Sequence, residues 1–440
     1  MEFSQFGLAP ALLRALDELE YRQPTPVQSQ AIPLILDGSD LLAGSQTGTG
    51  KTAAFALPLL HRLATDGGRR HPRQVRALIL TPTRELAAQV HESCKSYGRH
   101  LQLRSAQIFG GVNINPQTAA LRGGLDLLVA TPGRLIDHLQ QGNVDLGKVE
   151  VLVLDEADRM LDMGFLPALK KILGLLPTNR QSLMFSATFA DEIRQLANSF
   201  LRDPEQLQIA SRNAAATQVA HRVHPVDAGA KKDALLHLLA SDSRRQTLVF
   251  ARTKHGSDKL VRWLLKSGLK AAAIHGNKSQ NARTRALDDF KNGRITVLVA
   301  TDIAARGLDI DQLPMVINHD LPMVAEDYVH RIGRTGRNGS SGEAVSLVSQ
   351  EEVEQLRAIQ RLLPSALQIE TLAGFEPSSP IDLNARVKRS PQRPGPSANR
   401  GRRAPAQPMS PAKRALKAKH FKPRQAKRPG GESASGSTAR

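Results

Sequence analysis

The sequence predicts an α/β protein with two parallel-sheet domains in tandem and a disordered basic C-terminal tail. Three observations carry this expectation. Short apolar β-type runs alternate with helical patterns, as in a parallel sheet covered on both faces. The alternation pauses over 210–220, a small and polar stretch without period, and then resumes. Charge collects at one end: of the net +19 over 440 residues, +15 lies in 383–440, with 16 Lys and Arg against one acid, Glu432.

Taken in order, buried strands are expected at 40–44, 76–80, 125–130, 149–154 and 182–185. After the pause they are expected at 247–250, 271–274, 296–300, 315–318 and 344–348. Helical periods fill 83–97 and 165–175 between them. This places a first domain at 1–209, a linker at 210–221, a second domain at 222–373 and a tail at 374–440. Eight prolines and few large apolar residues over 383–440 leave that segment unable to offset its chain entropy. Its charge reads either as a solubilising feature or as a sequence-tolerant tether to nucleic acid.

Composition bounds the function. Hydrophobic residues at 40% and charged residues at 23% support buried cores. Lys plus Arg at 60 against 41 acids, with pI near 10.4, points to a polyanionic partner. A single cysteine, Cys94, excludes an internal disulfide and fits a reducing compartment. No run of 18 apolar residues and no basic-then-apolar N-terminus occur, so the chain reads as cytoplasmic, without a membrane span or signal peptide.

Ser45-Gln46-Thr47-Gly48-Thr49-Gly50-Lys51-Thr52 follows an expected strand and opens a helix. Backbone N–H groups of such a loop surround phosphate oxygens, aided by the helix N-terminus. Gly48 and Gly50 permit close approach, Lys51 reaches the β and γ phosphates, and the Thr52 hydroxyl faces Mg2+. The strand over 149–154 runs into Asp155-Glu156-Ala157-Asp158. Asp155 is placed to hold Mg2+, largely through water, and Glu156 to orient or deprotonate an attacking water. Upstream, Tyr21 and Gln28 flank a Pro-rich turn; they suit stacking on adenine and bonding its edge, or are simply that turn. Ser186-Ala187-Thr188 ends a strand, as a hydrogen-bond relay or as a cap.

The second half has no phosphate loop. It carries His330-Arg331-Ile332-Gly333-Arg334-Thr335-Gly336-Arg337 instead. Guanidinium groups suit the charge of a phosphoryl-transfer transition state, so Arg334 and Arg337 are candidate fingers completing the first domain's site. A basic surface patch is the other reading. After a further strand, Asp309 is placed to accept from a ribose hydroxyl, or belongs to a turn.

These motifs resemble the DEAD-box ATP-dependent RNA helicases of superfamily 2, over about residues 1–373. Runs such as Phe6-Gly7-Leu8, Gly111-Val112-Asn113-Ile114-Asn115-Pro116-Gln117 and Arg159-Met160-Leu161-Asp162-Met163-Gly164-Phe165 are most like the bacterial RhlE type. The resemblance implies two RecA-like domains, ATP and Mg2+ as cofactors, and RNA as partner. It implies that Phe3, Tyr21 and Gln28 form the adenine segment. Glu20 stands where the family usually has glycine, and Ser45 where it usually has alanine. RNA-backbone positions would be Thr83, Arg84, Gly110, Gly111, Thr131, Pro132, Gly133 and Arg134 in the first domain. In the second they would be Phe250, Arg252, Thr253, His275, Gly276, Gln280, Arg283, Thr301 and Asp302. Ser186 and Thr188, with Asp158 of the acidic motif, would couple hydrolysis to strand separation. Arg306, Asp309, His330, Arg331, Arg334 and Arg337 would be ATP-side or coupling positions.

The function expected is RNA-stimulated ATP hydrolysis that locally separates short RNA duplexes. The resemblance further implies work in ribosomal RNA maturation or in mRNA decay with a ribonuclease; oligomeric state is left open, with a monomer expected. An RNA clamp or annealing chaperone working through the tail is a second reading, and a DNA-translocating helicase a third. Thr81, Thr83, Arg84, Thr131 and Arg134 lie just past strand ends, where they supply backbone donors. Aromatic content of 4% argues against a base-stacking platform.

Overall fold

The computed structural model describes residues 2–44, 49–68, 70–208, 219–241, 245–305, 310, 313–336, 342–363 and 367–380. Its first sheet contains β1 (Leu41–Gly44), β2 (Val75–Leu80), β3 (Ser105–Ile108), β4 (Leu125–Ala130), β5 (Val151–Leu154), β6 (Gln181–Ser186) and β7 (Glu205–Gln208). Its second contains β8 (Val219–Pro225), β9 (Thr247–Phe250), β10 (Ala271–Ile274), β11 (Val297–Ala300), β12 (Met315–Asn318), β13 (Gly342–Val348) and β14 (Gln368–Ile369). The spatial orders are β3-β4-β2-β5-β6-β1-β7 and β10-β11-β9-β12-β13-β8-β14. Adding seven to each strand of the first sheet gives the second. The halves therefore repeat one topology without repeating sequence. The strand pairings are parallel, as the continuous apolar runs require.

Side-chain alternation divides each strand between two faces. In the first sheet, Ile79, Val129, Val153 and Phe185 join the core on one side. Leu78, Leu128, Leu152 and Met184 join the core on the other. In the second sheet, Val249, Val299 and Ile317 face one core, while Leu248, Leu298 and Val316 face its opposite. Each fully buried Val, Leu or Phe contributes about 1.5–3 kcal/mol, so both sheets are anchored on both sides.

Two boundaries move. β8 begins at Val219, inside the stretch read as a linker to 221. Its two histidines hid it; both are buried and bonded, His221 Nδ1 to the Tyr328 hydroxyl at 3.1 Å and His224 Nδ1 to the Glu370 carbonyl at 2.9 Å. At the far end, Phe375 packs on the second domain's core and the Ser378 N–H donates to Asp227. Folded chain thus continues past residue 373, where the tail had been placed. Residues 381–440, which contain the basic segment, lie outside the described residues.

Candidate active site

β1 leads into the phosphate loop. Ser45, Gln46, Thr47 and Gly48 lie outside the described residues, while Thr49, Gly50, Lys51 and Thr52 are placed. Gly50 caps the helix Lys51–Thr65 with φ +92°, a left-handed conformation. A Cβ there would lie 2.4 Å from Gln28 Nε2, so only glycine fits. Gln28 is buried, and its amide is committed: Oε1 accepts from the Thr25 N–H at 2.9 Å, and Nε2 donates to the Gly50 carbonyl at 3.1 Å. The residue read as an adenine contact thus ties the N-terminal segment to the phosphate loop, with one amide hydrogen left over.

Phe3 belongs to the same aromatic group as Tyr21. It is buried and meets Phe6 edge-on, with Tyr21 6.4 Å away between ring centroids. Tyr21 is the exposed ring, at 40%, and is steadied by Tyr97 through the two hydroxyls at 3.3 Å. Glu20 sits just before it with φ +59°. It accepts the left-handed turn that a glycine would favour, at a cost of about 1–2 kcal/mol.

The acidic motif begins where β5 ends. Asp155 is 3% exposed, and its Oδ1 has no hydrogen-bond partner. Burial pushes its carboxyl up to about 7, against the pull of Lys51 and with added repulsion from Glu156. An orphaned, destabilised carboxylate beside a phosphate loop fits a divalent cation, which would restore its charged form. Among the described residues no cluster of three or more His, Cys, Asp or Glu forms a cation cage. Glu156 has φ +53° and ψ +53°, a left-handed conformation that is strained for a residue carrying a Cβ. Asp158 Oδ2 accepts from the Ala187 N–H at 3.0 Å, and Ser186 Oγ accepts from the Thr188 N–H at 3.3 Å. The acidic motif and the segment after β6 are therefore joined directly.

One cavity between the domains is lined by Arg159 from the first and by His330, Arg331 and Arg334 from the second. Arg334 is 3% exposed. Burial holds His330 below its ordinary value. Arg306, Asp309 and Arg337 lie outside the described residues.

Arg331 is turned inward. Its Nε and Nη2 grip both oxygens of Asp302 at 2.5 and 2.8 Å, Nη1 donates to Asn318 and to the Asp320 carbonyl, and the guanidinium lies 4.7 Å from the Phe250 ring. Asp302, expected on the RNA face, thus spends both oxygens on Arg331, and a carboxylate repels phosphate in any case. Asp302→Ala would strand a buried guanidinium. It is expected to cost about 3 kcal/mol of second-domain stability in urea unfolding; an unchanged midpoint would show that the pair holds nothing.

The other RNA-face residues divide. Thr83 and Thr253 cap the helices Arg84–Tyr97 and Lys254–Lys266, their hydroxyl oxygens accepting from the Leu86 and Gly256 N–H groups. Each hydroxyl hydrogen is left to donate at a positive helix end. Thr131 starts the helix Pro132–Gln140 with Pro132 at its first turn and Gly133 exposed. Arg84 lies across Gly110 and Gly111, where a Cβ on Gly111 would fall 1.8 Å from Nη1. Arg134 donates to the Val112 carbonyl at 3.1 Å, so both arginines converge on one loop. Arg252 is half drawn away by Glu352 at 2.8 Å, and Gly276 faces Lys254. Thr301 is buried, its carbonyl accepting from the Ala304 N–H at 2.9 Å. Arg283 is 8% exposed and pairs across the domain boundary with Glu85 at 2.9 Å, joined by Gln280, which bonds Glu85 at 2.8 Å and Arg84 at 3.4 Å. Glu85 gave no signal by itself; it reads as an ordinary acid in the first turn of a helix.

The DEAD/DEAH box helicase family matches residues 25–196, and the helicase conserved C-terminal domain matches residues 230–339. The DEAD-box ATP-dependent RNA helicase CshA of Streptococcus pneumoniae is 40% identical over 379 residues, 86% of this chain and 70% of that protein. The ATP-dependent RNA helicase DeaD of Haemophilus influenzae is 40% identical over 366 residues, 83% of this chain but 59% of that protein. This chain thus spans about three fifths of that relative's length. The solved structure of S. cerevisiae Dbp5 bound to RNA and ADP BeF3 is similar at a TM-score of 0.74 and 31% identity, covering 86% of this chain and 95% of that one. Motif order, paired sheet topology and these matches agree, and the chain belongs to the DEAD-box RNA helicase family.

Proposed function

We propose that this protein is an ATP-dependent RNA helicase in which RNA-stimulated ATP hydrolysis drives local separation of short duplexes. The observation that carries it is the grouping of Lys51, Asp155 and Glu156 in one domain, with Arg159 beside Glu156 sharing a cavity with Arg334 of the other. Lys51 and the loop hold the ATP phosphates. Asp155 and Thr52 are the residues that would hold Mg2+, which when bound neutralises phosphate charge. Glu156 takes the proton of a water as its oxygen attacks the γ phosphorus, and the bond to the bridging oxygen breaks to leave ADP and phosphate. Arg334 offsets the charge spread over the γ oxygens. Asp158, bonded to Ala187, passes the loss of that phosphate to the 186–188 segment.

RNA is held through its backbone at the helix starts where Thr83, Thr131 and Thr253 stand, which explains recognition without base reading. The similar Dbp5 structure is bound to RNA and ADP BeF3, which supports RNA and nucleotide as the ligands. The test is steady-state ATP turnover without nucleic acid, with RNA, and with DNA of the same sequence. Stimulation by RNA alone is expected, since 2′-hydroxyls discriminate the two. Turnover indifferent to RNA would overturn the helicase reading in favour of a clamp.

The runs at 111–117 and 159–165 support placement nearest the RhlE type, with work in ribosomal RNA maturation or RNA decay. RNAs crosslinked to the protein in cells check this; a set lacking both ribosomal precursors and decay intermediates would remove it.

A further inference from the structure

Arg331 and Arg159 are equally buried, at 2% exposure each, but bonded very differently. Arg331 is satisfied by Asp302, Asn318 and the Asp320 carbonyl. Arg159 brings Nε within 3.3 Å of Glu156 Oε2, while Nη1 and Nη2 are buried without a hydrogen-bond partner. A guanidinium buried for stability alone is normally fully bonded, because orphaned donors are costly. Arg159 instead lines the cavity that His330 and Arg334 wall from the second domain. The neighbour it pairs with is itself poorly fixed: Glu156 sits in a left-handed turn, and its Oε2 has the ion pair with Arg159 but no hydrogen bond.

We propose that Arg159 is a positioning residue for ATP hydrolysis. Its Nε holds the Glu156 carboxylate in the first domain, and its two free Nη groups meet the wall supplied by the second. The guanidinium thereby makes the aim of Glu156 depend on where the second domain stands. This rests on the reading above, in which Glu156 handles the attacking water. The sequence hides the role because the arginine looks like the polar side of a short helix.

The experiment is a double-mutant cycle on the full chain, read as ATP turnover at saturating RNA. Arg159→Gln is expected to lower kcat about 10- to 100-fold while KM for ATP stays within about threefold. In the Glu156→Gln background the same change should alter the residual rate by less than about twofold, because the group it positions is gone. Arg159→Lys keeps the cation without the fork and should fall between wild type and Arg159→Gln. It carries the same cycle if the glutamine variant does not fold. A wild-type kcat in Arg159→Gln, or losses that multiply in the double variant, would overturn the proposal, since a merely structural arginine adds its effect in either background. Glu156→Gln turning over at the wild-type rate would instead remove the hydrolysis reading itself.

Discussion

Arg334→Ala is expected to lower RNA-stimulated ATP turnover about 10³-fold, the loss typical of an arginine that touches a transferring phosphoryl group. The side chain is 3% exposed and lines the cavity that Arg159 enters from the first domain. Its backbone is fixed, since the Arg334 carbonyl accepts from the Leu313 N–H at 2.9 Å. Alanine thus removes the guanidinium from a position that the chain cannot otherwise fill. ATP binding should change little, because the phosphate loop belongs to the other domain. Arg334→Lys should recover only part of the rate, since a point charge lacks the planar fork. The measurement is turnover at saturating ATP and RNA, with nucleotide affinity and thermal unfolding recorded in parallel. Near wild-type turnover in a folded Arg334→Ala protein would show that this arginine faces something other than phosphate.

Glu156→Gln is expected to cost about 100-fold or more in turnover while ATP and RNA binding persist. The substitution keeps size and removes the carboxylate that accepts a proton. A second variant separates chemistry from folding. Glu156 has φ +53°, and Glu156→Gly would relieve that strain, about 1–2 kcal/mol. It also removes the ion-pair partner of the buried Arg159, so the gain and the loss oppose each other. Its stability in denaturant titration should stay within about 2 kcal/mol of wild type while ATP turnover fails.

Most strands were legible because a parallel strand buried on both faces is a continuous apolar run, as at Leu125–Ala130 and Val151–Leu154. Those missed lack that signal. β3 reads Ser-Ala-Gln-Ile, β7 is a largely exposed Glu-Gln-Leu-Gln edge, β14 is two exposed residues, and β8 carries histidines whose partners lie more than a hundred residues away. In the site, Lys51, Asp155 and Glu156 were legible because each belongs to a contiguous motif after a strand. The inward turn of Asp302 and Arg331 was not, since charge alone does not say which residue it will face. The same holds for Glu85, whose partners Gln280 and Arg283 are nearly two hundred positions distant. Backbone sign at Glu156 is invisible in any residue pattern.

The five core clusters each draw their residues from a single domain, whereas Arg84 and Glu85 meet Gln280 and Arg283 through polar groups. Parting the domains there exposes little hydrocarbon to water, so the opening carries a small heat-capacity change. An equilibrium governed by a few exchangeable polar contacts is shallow. Moving such a system from 1:99 to 99:1 takes about 5.5 kcal/mol of preferential binding. Two ligands that each favour the closed arrangement by half that amount suffice together and not singly. Among the described residues no core cluster spans the two domains, so two ligands that each favour closure would act on this boundary as a logical AND.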